Sequence, residues 1–153
     1  GAGSANYFVL SSLLGPGSRL LLERPTYTVF DKIAAQRGAG VDWLPRLPAA
    51  DFGVQLDDVA RLWTPQTRVL ALTSPNNPTG VVYSRETLEG LADFAKKHDL
   101  WLISDEVYDT QIWEGEHISP RALPDMKERT LVIGSMSNGI VINRKQKKAS
   151  MIS

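Results

Sequence analysis

Cysteine is absent from this chain, which excludes disulfides, thiolate metal sites and cysteine nucleophiles. Histidine occurs only as His98 and His117, too few for a histidine-rich metal centre. Neither sign of charge is in excess, since 17 lysines and arginines face 17 aspartates and glutamates. Nucleic-acid and membrane-surface proteins usually carry a basic surplus, so neither nucleic acid nor membrane is an expected partner. No apolar run approaches the roughly 20 residues needed to cross a bilayer, and no signal-peptide pattern opens the chain. A soluble, cytoplasmic protein is the expectation. Internal repeats are missing, as is low-complexity sequence before the last fifteen residues.

What is present is a regular alternation of short apolar runs and amphipathic stretches, in a chain long enough for one domain with a core. Residues 5–14 read as a helix closed by Gly15-Pro16-Gly17, which cannot continue it. Residues 19–23 and 41–44 read as strands. Between them Val29, Phe30, Ile33 and Ala34 keep helical spacing until Gly38 and Gly40. Pro45 to Val54 reads as a loop. Leu56 to Leu62 reads as a helix with Asp57 and Asp58 in its first turn, where negative charge suits the helix dipole. Ser84 is a good N-cap for a helix with Leu88, Leu91, Ala92 and Ala95 on its apolar face. Three further strands are expected at Val69–Leu72, Leu100–Ile103 and Leu131–Ile133. Strands alternating with helices at this spacing predict right-handed crossovers and a three-layer α/β fold, a mostly parallel sheet flanked by helices.

Two polar segments follow two of these apolar runs: Ser74-Pro75-Asn76-Asn77-Pro78-Thr79-Gly80 and Asp105-Glu106-Val107-Tyr108. Open α/β sheets bind ligands just beyond the carboxyl ends of their strands. An amide, a carboxylate and a phenol are therefore expected at one ligand site. Other polar residues have plainer readings. His98 caps a charged helix, His117 lies in a surface loop, Glu106 supports the turn after Asp105, and the four tryptophans serve packing.

Taken singly these motifs are weak, because Asn-Pro and Thr-Gly are ordinary turn dipeptides. Taken in order they are specific: Gly1-Ala2-Gly3-Ser4-Ala5, Pro25-Thr26-Tyr27, Asn77-Pro78-Thr79-Gly80, Asp105-Glu106-Val107-Tyr108 and Gly134-Ser135-Met136-Ser137. The set resembles the large domain of a fold-type I, pyridoxal-phosphate-dependent aminotransferase of class I/II, from Gly1 to Ser137. The resemblance implies pyridoxal 5'-phosphate as cofactor, an amino acid and a 2-oxo acid as substrates, and a homodimer. It implies Asp105 as partner of the cofactor's ring nitrogen. The Asn77 amide and Tyr108 hydroxyl become donors to the phenolate oxygen, and Tyr27 a ring stacked on the cofactor face. It makes Gly1, Ala2 and Gly3 a phosphate cradle at a helix N-terminus, with Ser135 reaching the same phosphate and Ser137 as a lesser candidate.

The pattern breaks at Asn138. The family has there a lysine that binds the cofactor covalently and moves the substrate proton. An asparagine amide is neither nucleophilic nor basic at neutral pH, so covalent attachment and turnover are not expected. The family's phosphate-binding arginine falls at Gln146. Lys32, Lys96, Lys97, Lys127 and Lys145 are not at the strand ends and supply no replacement. Gly1 in first place and the change to an Ile/Asn/Lys-rich composition after Gly139 lead us to expect a fragment. Residues 1–138 would be a partial cofactor-binding large domain, and residues 139–153 an aberrant, disordered tail. Three readings stay open: a truncated aminotransferase (the favoured one), a non-catalytic cofactor-binding pseudo-enzyme, or an α/β interaction domain.

Overall fold

The computed structural model describes residues 1–113 and 115–134. Five strands, β1 (Arg19–Arg24), β2 (Gly40–Pro45), β3 (Thr67–Thr73), β4 (Trp101–Asp105) and β5 (Thr130–Ile133), form one sheet in the order β2-β1-β3-β4-β5. Every neighbouring pair is parallel. Four helices accompany them: α1 (Ala2–Leu13), α2 (Phe30–Gln36), α3 (Leu56–Leu62) and α4 (Arg85–Lys97). The expected α/β architecture is the observed one.

The layers follow from the two-residue period of a strand, which sends successive side chains to opposite faces. Leu21, Leu44, Leu70, Leu72 and Leu102 meet Val59 of α3 and Leu88, Leu91, Ala92 and Ala95 of α4 on one face. Leu20, Leu22, Val69, Ala71, Ile103 and Ile133 meet Leu10 of α1 and Phe30, Ile33 and Ala34 of α2 on the other. Strands buried on both faces carry apolar residues at consecutive positions. That accounts for the unbroken Val69–Leu72 run.

Helix ends follow local chemistry. The Ser84 hydroxyl accepts from the Thr87 backbone N–H at 3.2 Å, and Lys96 and Lys97 occupy the last turn of α4, where cations suit the dipole. Gly17 adopts φ +82° in the turn after α1, a conformation glycine takes without strain. α1 begins at Ala2 rather than near Ala5.

Some expectations are corrected. Trp113 is 96% exposed and Trp101 also reaches solvent, so packing accounts only for Trp43 and Trp63, which lie against the two cores. His117 is not a surface residue: its side chain is 6% exposed and its Nε2 lies 3.0 Å from Glu106 Oε2. The irregular segment between β4 and β5 folds back onto Glu106, which is itself buried. The segment 45–54, read as a loop, contains a 3-10 turn at Pro48–Ala50 and the fully buried Arg46. The expected tail, residues 139–153, lies outside the described residues.

Candidate functional site

The chain runs from β1 outward to β2, then returns to the other side of β1 to lay down β3, β4 and β5. That reversal makes the carboxyl ends of β1 and β3 a topological switch point, where open sheets leave a crevice. Pro25, Thr26 and Tyr27 follow β1, Ser74 to Gly80 follow β3, and Asp105 closes β4. α1 leads into β1 from the opposite direction, so its N-terminus, with Gly1, Ala2 and Gly3, lies at the same edge of the sheet.

Hydrogen bonds tie these segments together. Thr26 Oγ1 and Thr73 Oγ1 are 3.3 Å apart. The Ser74 N–H donates to the Asp105 carbonyl at 3.0 Å, and Thr73 and Asp105 are in register on adjacent strands. Asn6 of α1 donates from Nδ2 to Asp105 Oδ2 at 3.0 Å. One residue, Asp105, is thus tied through its backbone carbonyl to the loop that carries Asn77 and through its carboxylate to the helix that begins at Ala2.

Asp105 is 5% exposed. Burial pushes its carboxyl above the ordinary value, the Asn6 amide and the Val107 N–H pull it back, and the Glu106 charge adds a smaller upward push. The Val107 N–H donates to Oδ1 at 3.2 Å, so each carboxylate oxygen has one protein donor. Ionised carboxylates accept more than two hydrogen bonds, and the site is chemically suited to a further, charged donor.

The Asn77 and Tyr108 side chains are half-buried, and Tyr27 is 55% exposed. Among the described residues no hydrogen bond engages the Asn77 amide or the Tyr108 hydroxyl. The turn that presents Asn77 is closed by the Gly80 N–H donating to the Asn76 carbonyl at 2.7 Å. Gly80 sits at φ +76°, where a side chain would be strained. Asn76 Oδ1 accepts from the Thr79 N–H at 3.1 Å and from the Thr79 hydroxyl at 2.7 Å. A cleft of about 260 Å³ is bounded by Arg24, Pro25, Thr26, Thr28, Asp31, Trp43 and Pro78, which include the sequence neighbours of Tyr27 and Asn77 but neither residue itself. At the N-terminus of α1 a Cβ added at Gly1 or Gly3 would meet nothing within 4 Å, so the helix opens onto free space with its first N–H groups directed outward. Ser135, Ser137 and Asn138 lie outside the described residues.

Sequence reasoning missed what fills the switch point. Glu23, at the end of β1, and Arg46, just after β2, are both wholly buried, with Arg46 Nη1 3.0 Å from Glu23 Oε2. Glu23 Oε1 accepts from the Thr73 N–H at 2.6 Å and from Asn76 Nδ2 at 3.0 Å. The Tyr83 hydroxyl donates to Oε2, and Arg46 lies over the Tyr83 ring at 4.8 Å from its centre. Burial raises the Glu23 carboxyl, while Arg46, Tyr83, Thr73 and Asn76 all oppose that rise. Burial, and then the Glu23 charge, push Tyr83 well above its ordinary value, so its hydroxyl keeps its proton as a donor. This network fixes the start of the Asn77 loop from below. Asn6 was also missed. A polar residue inside an apolar helical run was the available signal for it.

Comparisons with known proteins agree on the family. The model of "Aminotransferase class I and II" matches residues 1–140. The arginine–pyruvate transaminase AruH of Pseudomonas aeruginosa is 43% identical over 137 residues, which are 90% of this chain and 35% of that protein. An aspartate/prephenate aminotransferase of Thermus thermophilus is 35% identical over 143 residues, 93% of this chain and 36% of its own length. A solved aspartate aminotransferase double mutant from Thermus thermophilus superposes with a TM-score of 0.85 at 35% identity, covering 89% of this chain and 35% of that one. The aromatic aminotransferase of Pyrococcus horikoshii gives 0.86 at 34%, covering 89% and 37%. The chain spans little more than a third of the relatives it matches. It belongs to the class I and II aminotransferase family.

Proposed function

We propose that this chain is a pyridoxal-5'-phosphate-binding domain of the aminotransferase family that holds its cofactor without a covalent bond and has little or no turnover. The parent reaction is amino-group transfer between an amino acid and a 2-oxo acid. One observation carries the cofactor reading: a buried carboxylate, Asp105, with one protein donor on each oxygen, at the carboxyl end of an interior parallel strand. The donor set around it suits this cofactor, with an amide, a phenol and a helix N-terminus at the same sheet edge.

When bound, pyridoxal phosphate supplies an electron sink, and the sink is deep only while its ring nitrogen is protonated. In this reading the Asp105 carboxylate holds that proton at the nitrogen by charge and hydrogen bond. Asn77 Nδ2 and the Tyr108 hydroxyl donate to the phenolate oxygen. Tyr27, whose side chain is exposed, covers one ring face. The Ala2 and Gly3 N–H groups, with Gly1, take the phosphate at the positive end of α1, and Ser135 adds a hydroxyl. Asn138 supports the non-covalent part of the reading, because its amide can neither attack a carbonyl carbon nor carry a proton at neutral pH. As substrate class we propose an amino acid and a 2-oxo acid, and as assembly a homodimer. The names of the relatives span arginine–pyruvate and aspartate/prephenate, so no single amino acid follows from them.

Titration of the cofactor into this chain and into Asp105→Ala tests the assignment. Saturable binding by the parent chain, weakened at least ten-fold in the variant, is expected. Equal binding by both, or none by either, removes Asp105 from the site.

A further inference from the structure

Asn6 lies in the second turn of α1, on the side facing the core. Its neighbours Ala2, Ala5, Val9, Leu10 and Leu13 pack there among aliphatic side chains, and Asn6 itself is 1% exposed. Burying an amide in such surroundings is unfavourable unless its polar atoms are paired. Only half of this one is. Nδ2 donates to Asp105 Oδ2 at 3.0 Å, while Oδ1 has no partner among the described residues. A leucine of similar size would fill the space with no orphaned atom. What asparagine adds is a single hydrogen bond, across 99 residues of sequence, to the carboxylate at the end of β4.

That bond has a definite geometric effect. Val107 N–H holds Oδ1 and Asn6 Nδ2 holds Oδ2. With one donor on each oxygen, rotation of the carboxylate about its Cβ–Cγ bond breaks a contact. Asn6 is also on the helix that starts with the proposed phosphate cradle, so it links the two ends of the cofactor site. We propose that Asn6 is a positioning residue for Asp105, its amide fixing the carboxylate as an acceptor aimed at a protonated ring nitrogen. The proposal rests on the cofactor reading given above. The Asn6 hydrogen bond is the strongest of the influences that hold the Asp105 carboxyl down against its burial, and the charge of Glu106 acts the other way.

The test uses the full 153-residue chain, its Asn6→Leu variant, and Asn6→Met as a second apolar side chain should leucine not pack. Two quantities are read: the titration of the Asp105 carboxyl carbon by nuclear magnetic resonance without cofactor, and the dissociation constant for pyridoxal 5'-phosphate. The apolar variants are expected to fold, to titrate Asp105 at higher pH, and to bind the cofactor about ten-fold more weakly, the loss of one hydrogen bond to a charged group. An unchanged Asp105 titration in the variants overturns the role of Asn6, whatever the cofactor does. A raised titration with unchanged cofactor affinity overturns instead the assignment of Asp105 to the cofactor.

Discussion

Arg46 and Glu23 face each other across 3.0 Å with neither side chain reached by solvent, at the switch point of the sheet. Removing one partner of such a pair leaves an uncompensated buried charge, which costs about 3–5 kcal/mol. Glu23→Ala is therefore expected to lower stability by that amount in urea unfolding. Tyr83→Phe, which removes one hydrogen bond to the same carboxylate, costs about 1.5–3 kcal/mol. A loss below about 1 kcal/mol for Glu23→Ala would show that the pair is not buried as described.

The pH dependence of stability has a definite sign at Asp105. Its folded carboxyl lies above the ordinary value of 3.8. Between those two values the folded chain holds a proton that the unfolded chain has released. Stability contributed by this group is then full below about pH 4 and falls as pH rises through the folded value. Asp105→Asn removes that fall. Urea midpoints measured across this range should decline less steeply in the variant, and parallel curves would contradict the account.

Glu106 anchors the segment that follows Tyr108. Ser119 Oγ donates to its Oε1 at 2.7 Å, and His117 Nε2 lies 3.0 Å from Oε2, off the line of a good hydrogen bond. Glu106→Ala should release residues 115–119 without unfolding the sheet. Hydrogen exchange in that segment is expected to accelerate at least ten-fold while β3 and β4 stay protected.

Ser84→Ala removes the only side-chain cap among the four helices described. The expected loss is about 1 kcal/mol, read from the unfolding midpoint, with cofactor affinity unchanged. A weaker affinity would mean that α4 bears on the site more directly than its position on the opposite face of the sheet indicates.

Sequence and structure agree most closely where local patterns decide the outcome. The Val69 and Leu100 runs read as buried parallel strands because both faces demand apolar residues, and Leu56–Leu62 is a helix with the bounds expected. The positions of Asn77 and Asp105 at strand ends are legible because each follows an apolar run, and β3 and β4 end just past where those runs end. Glu23 and Arg46 were not. Each looked like a polar residue at the end of a strand or in a loop, and only the pairing of β1 with β2 and β3 brings them together. The burial of His117 has no sequence signal either, since Glu106, which its Nε2 faces, is 11 residues away across an irregular segment with no periodicity. Asn6 gave a local signal, a polar side chain on a buried helical face, but nothing in the sequence names Asp105 as its partner.

The central claim is a cofactor site that binds without a covalent bond. It is tested most directly by saturating the 153-residue chain with pyridoxal 5'-phosphate, treating it with borohydride, denaturing it and measuring its mass. The account predicts saturable binding before treatment and an unmodified protein mass afterward, with all the cofactor released. No saturable binding, or a reduced cofactor adduct mapped to a lysine, would contradict it.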